Sequence, residues 1–393
     1  MRSMYGLRSV HFIVAFRRGF IVGLLAGLAV CCVLMQSAQA GNVVPTEKGT
    51  LEENVRWYDV RLLSVEGQGW QDVASPFDRF PARAESTLRP PVWGLSRHSA
   101  GIAVRFVTDA ETLHARWTLT SDRLEMSHMP ATGVSGLDLY VRVPDGHWRW
   151  LANGRPSGKT TTAQLYGGIP AGEREFLLYL PLYNGVTSVE LGLPEGSHLK
   201  QSPPRLAGHA KPIVFYGTSI TQGACASRPG MVHTAIIGRK LDQPVINLGF
   251  SGNGRLEAEV GALMAEIDAA VYVIDCLPNV DAATVTERTE PLVRQLKKAH
   301  PETPILLVED RNYTDSFLVA SKRQRNESNQ KALRAVYDRL KSDGVEGLYY
   351  LEAEKLLGDD GEGTVDTSHP TDLGFMRQAD AFLEVLRPIL NRP

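Results

Sequence analysis

Ile213-Val214-Phe215-Tyr216-Gly217-Thr218-Ser219-Ile220-Thr221-Gln222-Gly223 is the stretch that decides the fold. Its first four residues form a β-branched and aromatic run of strand length, and the run stops at small and polar residues. A serine therefore stands where a buried strand ends and the chain turns sharply. In an α/β sheet, ligands bind in the crevice beyond the carboxyl ends of the strands, which is where Ser219 falls. A small residue after a strand is by itself an ordinary turn former, so its meaning depends on the surroundings.

Downstream, strands expected over 245–248, 271–274, 305–308 and 348–351 alternate with helices over 233–241, 256–267, 285–299, 330–341 and 371–386, the last stopped by Pro388. Repeated βα units of this length imply a parallel sheet covered by helices on both faces. Polar residues then gather at one sheet edge. Ser219 follows the first strand, Gly249-Phe250-Ser251-Gly252-Asn253-Gly254 the second, Asp275-Cys276-Leu277-Pro278-Asn279 the third, and Asp366-Thr367-Ser368-His369 the fifth. Unrelated turn residues would scatter over both edges, so this convergence points to a site.

Upstream, residues 41–206 carry short apolar runs at 102–106, 113–119, 137–143, 147–151, 176–180 and 189–193, with no convincing amphipathic helix. Pro144-Asp145-Gly146 reads as a hairpin turn, proline presetting one dihedral and glycine accepting a positive one. This is the pattern of an antiparallel sandwich. Trp93, Trp117, Trp148 and Trp150 are read as core or edge-covering residues in preference to a sugar-stacking platform. His98, His114, His128 and His147 have no metal-ligand spacing and are read as surface or strand histidines. Residues 194–211, with Pro203-Pro204 and Gly208, behave as a linker whose end is 207–211, so that the second domain spans 212–393.

At 393 residues, with 43% apolar and 22% charged side chains, the chain has room for two ordinary globular cores. The first forty residues stand apart. Arg2, Arg8, Arg17 and Arg18 precede an apolar run over 19–35 and then Ala38-Gln39-Ala40, which together predict an export signal over 1–40 and a secreted or periplasmic product. Arg17-Arg18-Gly19-Phe20-Ile21 resembles a twin-arginine signal with Phe16 at the usual hydroxyl position, and an uncleaved membrane anchor is the alternative. After cleavage no stable membrane insertion is expected. The mature chain would hold 38 basic and 44 acidic residues, about −6, which gives no footing for a nucleic-acid partner. It would also keep only Cys225 and Cys276, each following a sheet strand, so the expectation is a disulfide pinning two loops of the site, or else two free thiols.

The residue types at the sheet edge suit acyl transfer. A serine hydroxyl becomes a nucleophile when a base removes its proton, and His369 can be that base. Asp366, three residues earlier, can orient the imidazole and stabilise its charge. The backbone N–H groups of Ser219 and Gly252 and the side-chain amide of Asn279 can receive the oxyanion. A Gly-x-Ser-x-Gly elbow would need glycine at Thr221, residues 249–254 are not spaced as Gly-x-Gly-x-x-Gly, and no P-loop or His-Glu-x-x-His motif is present. No metal or organic cofactor is called for.

These residues carry a family resemblance. Gly217-Thr218-Ser219-Ile220 resembles the Gly-Asp-Ser-Leu block of the GDSL or SGNH hydrolases, Thr218 replacing the aspartate. Gly252 and Asn279 match that family's further oxyanion positions, although Asp275-Cys276-Leu277-Pro278-Asn279 departs from the commoner Gly-x-Asn-Asp. Asp366-Thr367-Ser368-His369 matches its closing Asp-x-x-His, and the likeness covers essentially all of 211–393. Gly136-Leu137-Asp138-Leu139-Tyr140 resembles the Gly-x-Asp-Leu-Tyr signature of a β-sandwich that precedes this hydrolase domain in some exported bacterial proteins. The resemblance implies a three-layer, flavodoxin-like hydrolase domain behind a jelly-roll-like sandwich. It also implies a serine esterase acting on an acylated small molecule or polysaccharide, in the first place as a carbohydrate O-deacetylase. A lipid acyl ester or thioester hydrolase, and a noncatalytic glycan-binding protein, are the alternatives. Oligomeric state is not read from the sequence.

Overall fold

The computed structural model describes residues 41–391. The expected export segment, 1–40, lies outside the described residues. The C-terminal half is built on five parallel strands, β1 (Ile213–Gly217), β2 (Val245–Gly249), β3 (Val271–Asp275), β4 (Ile305–Val308) and β5 (Leu348–Leu351), in the order β2-β1-β3-β4-β5. The order reverses between β1 and β3, and the crevice beyond that switch point is where such sheets bind ligands. Helices α1 (His233–Leu241), α2 (Ala258–Met264), α3 (Ala282–Ala299), α4 (Ala320–Ser342) and α5 (Asp372–Leu390) cover both faces.

Side-chain alternation explains the layers. Val214, Tyr216, Ile246, Leu248, Tyr272 and Ile274 pack with Val260, Val285, Leu292 and Leu296 on one face. Their neighbours Ile213, Phe215, Val271 and Val273 pack with Ile236, Ile237, Phe375 and Phe382 on the other. Both faces are dry, so the central strands read as continuous apolar runs. Two expectations are corrected. Helix α4 begins ten residues early because its first turns bury Asn326 and Asn329, whose amides donate to Arg311 O (3.1 Å) and Val280 O (3.0 Å), and a hydrophobic period cannot register them. Helix α5 runs past Pro388, since a proline in the last turn forfeits a single N–H bond.

The N-terminal half is two antiparallel sheets. One orders Thr50–Glu52, Val55–Asp59, Val186–Pro194, Thr112–Leu119 and Thr160–Gly167; the other orders Leu199–Gln201, Ala103–Thr108, Arg174–Tyr179, Leu137–Arg142 and Trp148–Gly154. Leu113, Trp117 and Leu191 of the first meet Phe106, Leu139 and Phe176 of the second in a common core. The turn at Gly146 closes with its N–H on Val143 O at 2.8 Å and a φ of 87°. Thr160–Gly167, threonine-rich, and the short helix Pro90–Ser96 are not foreseen by the apolar pattern.

The two halves share a core. Trp70, Phe80, Leu88 and Val92 pack into the cluster that holds Tyr216, Ile246 and Phe250, with Phe80 stacked on Phe250 at 5.2 Å. Asp138 of the Gly-x-Asp-Leu-Tyr segment is fully buried and accepts from Arg228 Nη1, Gly230 N–H and Trp150 Nε1, each at 2.8 Å. Arg228 also donates to the Tyr140 hydroxyl at 2.6 Å, and Arg239 lies over the Tyr140 ring at 3.9 Å. That motif therefore clamps the segment that follows Ser219. Trp150, half exposed, belongs to this clamp, and Trp117 fills the sandwich core, in keeping with the expected structural use of the tryptophans.

Candidate active site

Ser219 opens a one-turn helix, Ser219–Gln222, at the end of β1. Thr218 caps that turn by accepting from Ile220 N–H at 3.3 Å, so threonine performs locally what a capping aspartate would. As the first helical residue, Ser219 has an N–H without an intrahelical acceptor. The Ser219 side chain meets the loop between β5 and α5, where Ser219 Oγ lies 2.8 Å from His369 Nε2 and His369 Nδ1 lies 2.7 Å from Asp366 Oδ2. The other carboxylate oxygen, Oδ1, accepts the N–H groups of Ser368 (3.1 Å) and His369 (2.8 Å). Thr367 takes a left-handed φ of 73° to allow this turn. Burial alone would raise the Asp366 carboxyl, but the backbone and ring hydrogen bonds from His369 outweigh it and hold it below the usual range. An ionised Asp366 fixes the proton on Nδ1 and leaves the Nε2 lone pair facing the Ser219 hydroxyl.

The turn after β2 presents one free donor. Phe250 N–H bonds Gly217 O (3.0 Å), Ser251 N–H bonds Gln222 Oε1 (3.0 Å), and the N–H groups of Asn253 and Gly254 both reach Phe250 O at 2.9 Å. Gly252 N–H has no such acceptor. Gly252 sits at φ 69° with open space where a Cβ would point, while a Cβ on Gly254 would fall 1.8 Å from Gly217 O, so this turn must cross tightly over the end of β1. The Asn279 amide braces the same turn: with its oxygen and nitrogen placed to satisfy both, Oδ1 accepts from Asn253 N–H (3.1 Å) and Gly254 N–H (3.3 Å), leaving Nδ2 clear of them. Arg325 in turn donates to Pro278 O (3.1 Å) and Val280 O (3.0 Å), holding the backbone on each side of Asn279.

Ser219, Asp366, His369, Gly252 and Asn279 are thus gathered at the β1/β3 switch point. The cysteines are not joined. Cys225 and Cys276 are both free and buried. Cys276 packs among Tyr216 and Leu277 with its thiol on Tyr216 O at 3.5 Å, under the sheet edge. Cys225, at φ 74°, lies beside Asp366, where burial and that carboxylate push its thiol up to about 12. Cys276 is thus part of the core beneath the sheet edge and Cys225 a neighbour of Asp366, and no disulfide joins them.

Two histidines read as ordinary are also placed differently. The His128 ring stands edge-on to His369 with centroids 6.0 Å apart. His98 Nδ1 accepts from Gln222 Nε2 at 3.0 Å, and burial with the nearby Arg79 charge lowers it to about 4. Tyr183, whose hydroxyl donates to Ser219 O at 3.2 Å, and the buried Arg79, which donates to Asn247 O (3.0 Å) and Gly249 O (2.7 Å), carry no sequence signal of their own. The sandwich thus lines the site from behind.

Comparison with known proteins agrees with this architecture. Residues 210–387 match the model of the GDSL-like lipase/acylhydrolase family, and residues 55–199 match that of the GxDLY N-terminus of SGNH-hydrolase-type esterases. A structure from Bacteroides ovatus ATCC 8483 described as a GDSL-like lipase is 34% identical, with 86% of this chain and 98% of that one covered at a TM-score of 0.81. The chain belongs to the GDSL-like lipase/acylhydrolase family, the SGNH ester hydrolases. Two more distant structures share the fold. The salicylyl-acyltransferase SsfX3 of a tetracycline biosynthetic pathway is 18% identical, covering 87% and 99% of the two chains at a TM-score of 0.69. A family two carbohydrate esterase from Clostridium thermocellum, in complex with cellohexaose, is 16% identical, covering 74% and 93% at a TM-score of 0.51. A search of curated proteins finds no match.

Proposed function

We propose that this protein is an exported serine esterase that removes acyl groups, acetyl in the first place, from carbohydrate. One observation carries the chemistry: the unbroken hydrogen-bonded chain from Ser219 Oγ through His369 to Asp366, beside a turn whose Gly252 N–H is free. Ser219 Oγ attacks the ester carbonyl while its proton passes to His369 Nε2. The carbonyl oxygen takes up negative charge against Ser219 N–H, Gly252 N–H and Asn279 Nδ2. Collapse expels the alcohol, which takes the proton from His369 and leaves an acyl-serine. Water, deprotonated by the same imidazole, attacks that ester and releases the acid and the free serine.

Support for a carbohydrate substrate is the likeness in fold to a carbohydrate esterase, and for export the composition of residues 1–40. A second reading, a longer acyl chain, is favoured by Phe317 and Leu318. They are 74% and 78% exposed on a turn tied to the catalytic loop by Thr314 N–H on Thr367 O at 3.0 Å. The test is release of acid from acetylated polysaccharides and from short and long acyl esters by the mature protein and by Ser219→Ala. Acetate released by wild type alone supports the deacetylase, preference for long chains supports the second reading, and no release from any ester by folded protein overturns both. Export is tested by N-terminal sequencing of protein recovered outside the cytoplasm.

A further inference from the structure

Ser251 N–H is held by a side chain that does not reach the reacting atoms. Gln222, buried at the end of the nucleophile helix, accepts that N–H on Oε1 (3.0 Å) and donates through Nε2 to Leu182 O (3.1 Å) and His98 Nδ1 (3.0 Å). Leu182 and His98 both belong to the antiparallel half. We propose that His98 and Gln222 are positioning residues for the oxyanion turn: the bare Nδ1 lone pair of His98 fixes the Gln222 amide, which pins Ser251 N–H and so aims the adjacent Gly252 N–H at the site. This role rests on the esterase reading above.

The hydrogen-bond inventory permits one amide orientation. The NH2 group faces two acceptors and the carbonyl faces a donor, so turning the amide over would break all three bonds. It holds only while His98 Nδ1 carries no proton. Burial and the neighbouring Arg79 charge keep the imidazole neutral through the physiological range, and Leu182 O and Ser251 N–H, which orient the Gln222 amide without help from His98, place its NH2 against Nδ1 and so assign the one ring proton to Nε2. The backbone beneath His98 is fixed as well. Arg79 is 1% exposed, and its guanidinium donates to His98 O (2.9 Å), Leu95 O (2.6 Å), Asn247 O (3.0 Å) and Gly249 O (2.7 Å), binding the 95–98 segment to the end of β2. Gly252 is thus fixed from two sides, by Gln222 through Ser251 and by Asn279 through Asn253 and Gly254. An N–H aimed at an oxyanion acts through geometry that is set before the charge appears, so freeing one side of the turn reduces turnover more than binding.

A purely packing role for the ring, which lies 6.1 Å from the Tyr183 ring, makes a different forecast. His98→Phe keeps a ring and removes the acceptor, whereas His98→Asn loses the ring but keeps an acceptor oxygen near the place of Nδ1. Steady-state hydrolysis of 4-nitrophenyl acetate is measured for both, alongside Tm and amide hydrogen exchange at Ser251. Positioning predicts that His98→Phe lowers kcat about 10- to 100-fold with KM within about 3-fold, while His98→Asn stays within about 3-fold of wild type in kcat. It also predicts faster exchange at Ser251 in His98→Phe and wild-type exchange in His98→Asn. A His98→Phe protein with wild-type kcat, a loss confined to KM, or a His98→Asn protein as slow as His98→Phe would overturn it. If wild type itself hydrolyses no ester, the esterase reading fails, and the exchange rates at Ser251 still decide whether His98 holds the turn.

Discussion

Ser219, Gly252, Asn279, Asp366 and His369 all hang from the carboxyl ends of parallel strands, whereas the antiparallel half reaches the same place mainly through groups that grip backbone, with His98 on the Gln222 amide and the His128 ring beside His369 as its side-chain contacts. Arg79 holds Asn247 and Gly249, Tyr183 holds Ser219, and Asp138 holds Gly230. Strand direction explains the division. A parallel sheet sends every strand end to one edge, where loops far apart in sequence meet. Antiparallel strands send alternate ends to opposite edges, so only part of the sandwich's connections can face the site. On the proposed reading the first arrangement supplies chemistry and the second supplies rigidity, and substitutions should separate the two.

The largest effect is expected at Ser219, the proposed nucleophile. Ser219→Ala should lower kcat on a short acyl ester by about 10⁴-fold or more with Tm little changed, and a residual rate near wild type would dissolve the distinction between the two halves. Next comes the clamp. Asp138→Ala strands the Arg228 guanidinium at a buried junction and should destabilise by about 3–5 kcal/mol in urea unfolding, a stability loss instead of a simple rate loss. Asn279→Ala tests the brace on the catalytic side, with kcat expected to fall about 10²- to 10³-fold at nearly constant KM; a fall in stability without one in kcat would move Asn279 to the supporting set.

The smallest effect is at His233, which sharpens the contrast with His98. His98 is half-buried and held by a hydrogen bond, whereas His233 is fully buried, stacks on Phe375 and Phe382 with Phe215 at its edge, and has no hydrogen-bond partner at either nitrogen. Burial keeps it well below its ordinary value of 6.5. His233→Phe should stabilise by about 1 kcal/mol at pH 7. The gain should grow as pH falls below 6.5, because the unfolded wild-type chain takes up a proton there that the folded chain refuses. Denaturant titrations at pH 7 and pH 5 check the sign, and an equal difference at both would argue against a buried neutral ring.

The parallel half was legible because its signals are local. β1 and β3 are short apolar runs buried on both faces, and each ends at the residue types that later meet at the site. Asp366 and His369 were legible for the same reason, a fixed spacing within one turn. The supporting groups were not. His98, Tyr183 and Arg79 act through partners 36 to 170 positions away, and a single histidine or arginine in a strand-rich segment has no periodicity to reveal it. Of the two readings left open for the cysteines, free thiols are the one found, for a related reason: following adjacent strands does not fix where a side chain points, and Cys276 turns into the core while Cys225 lies beside Asp366. Asp138 lies between these cases, its motif visible as architecture but its hold on Arg228 and Gly230 visible only in three dimensions.

The core shared by the two halves sets an order of events during synthesis. A chain made from its N-terminus can complete both antiparallel sheets while Trp70 and Phe80, in contact with each other at 5.5 Å, still lack their partners from the parallel half, because Phe250 and Ile267, which share their cluster, have not been added. Through that interval the nascent protein carries a bare aromatic face of the kind that recruits chaperones or aggregates. A fragment ending ahead of Phe250 should behave as an arrested intermediate, with the sandwich formed and its sticky face uncovered, instead of a smaller soluble domain.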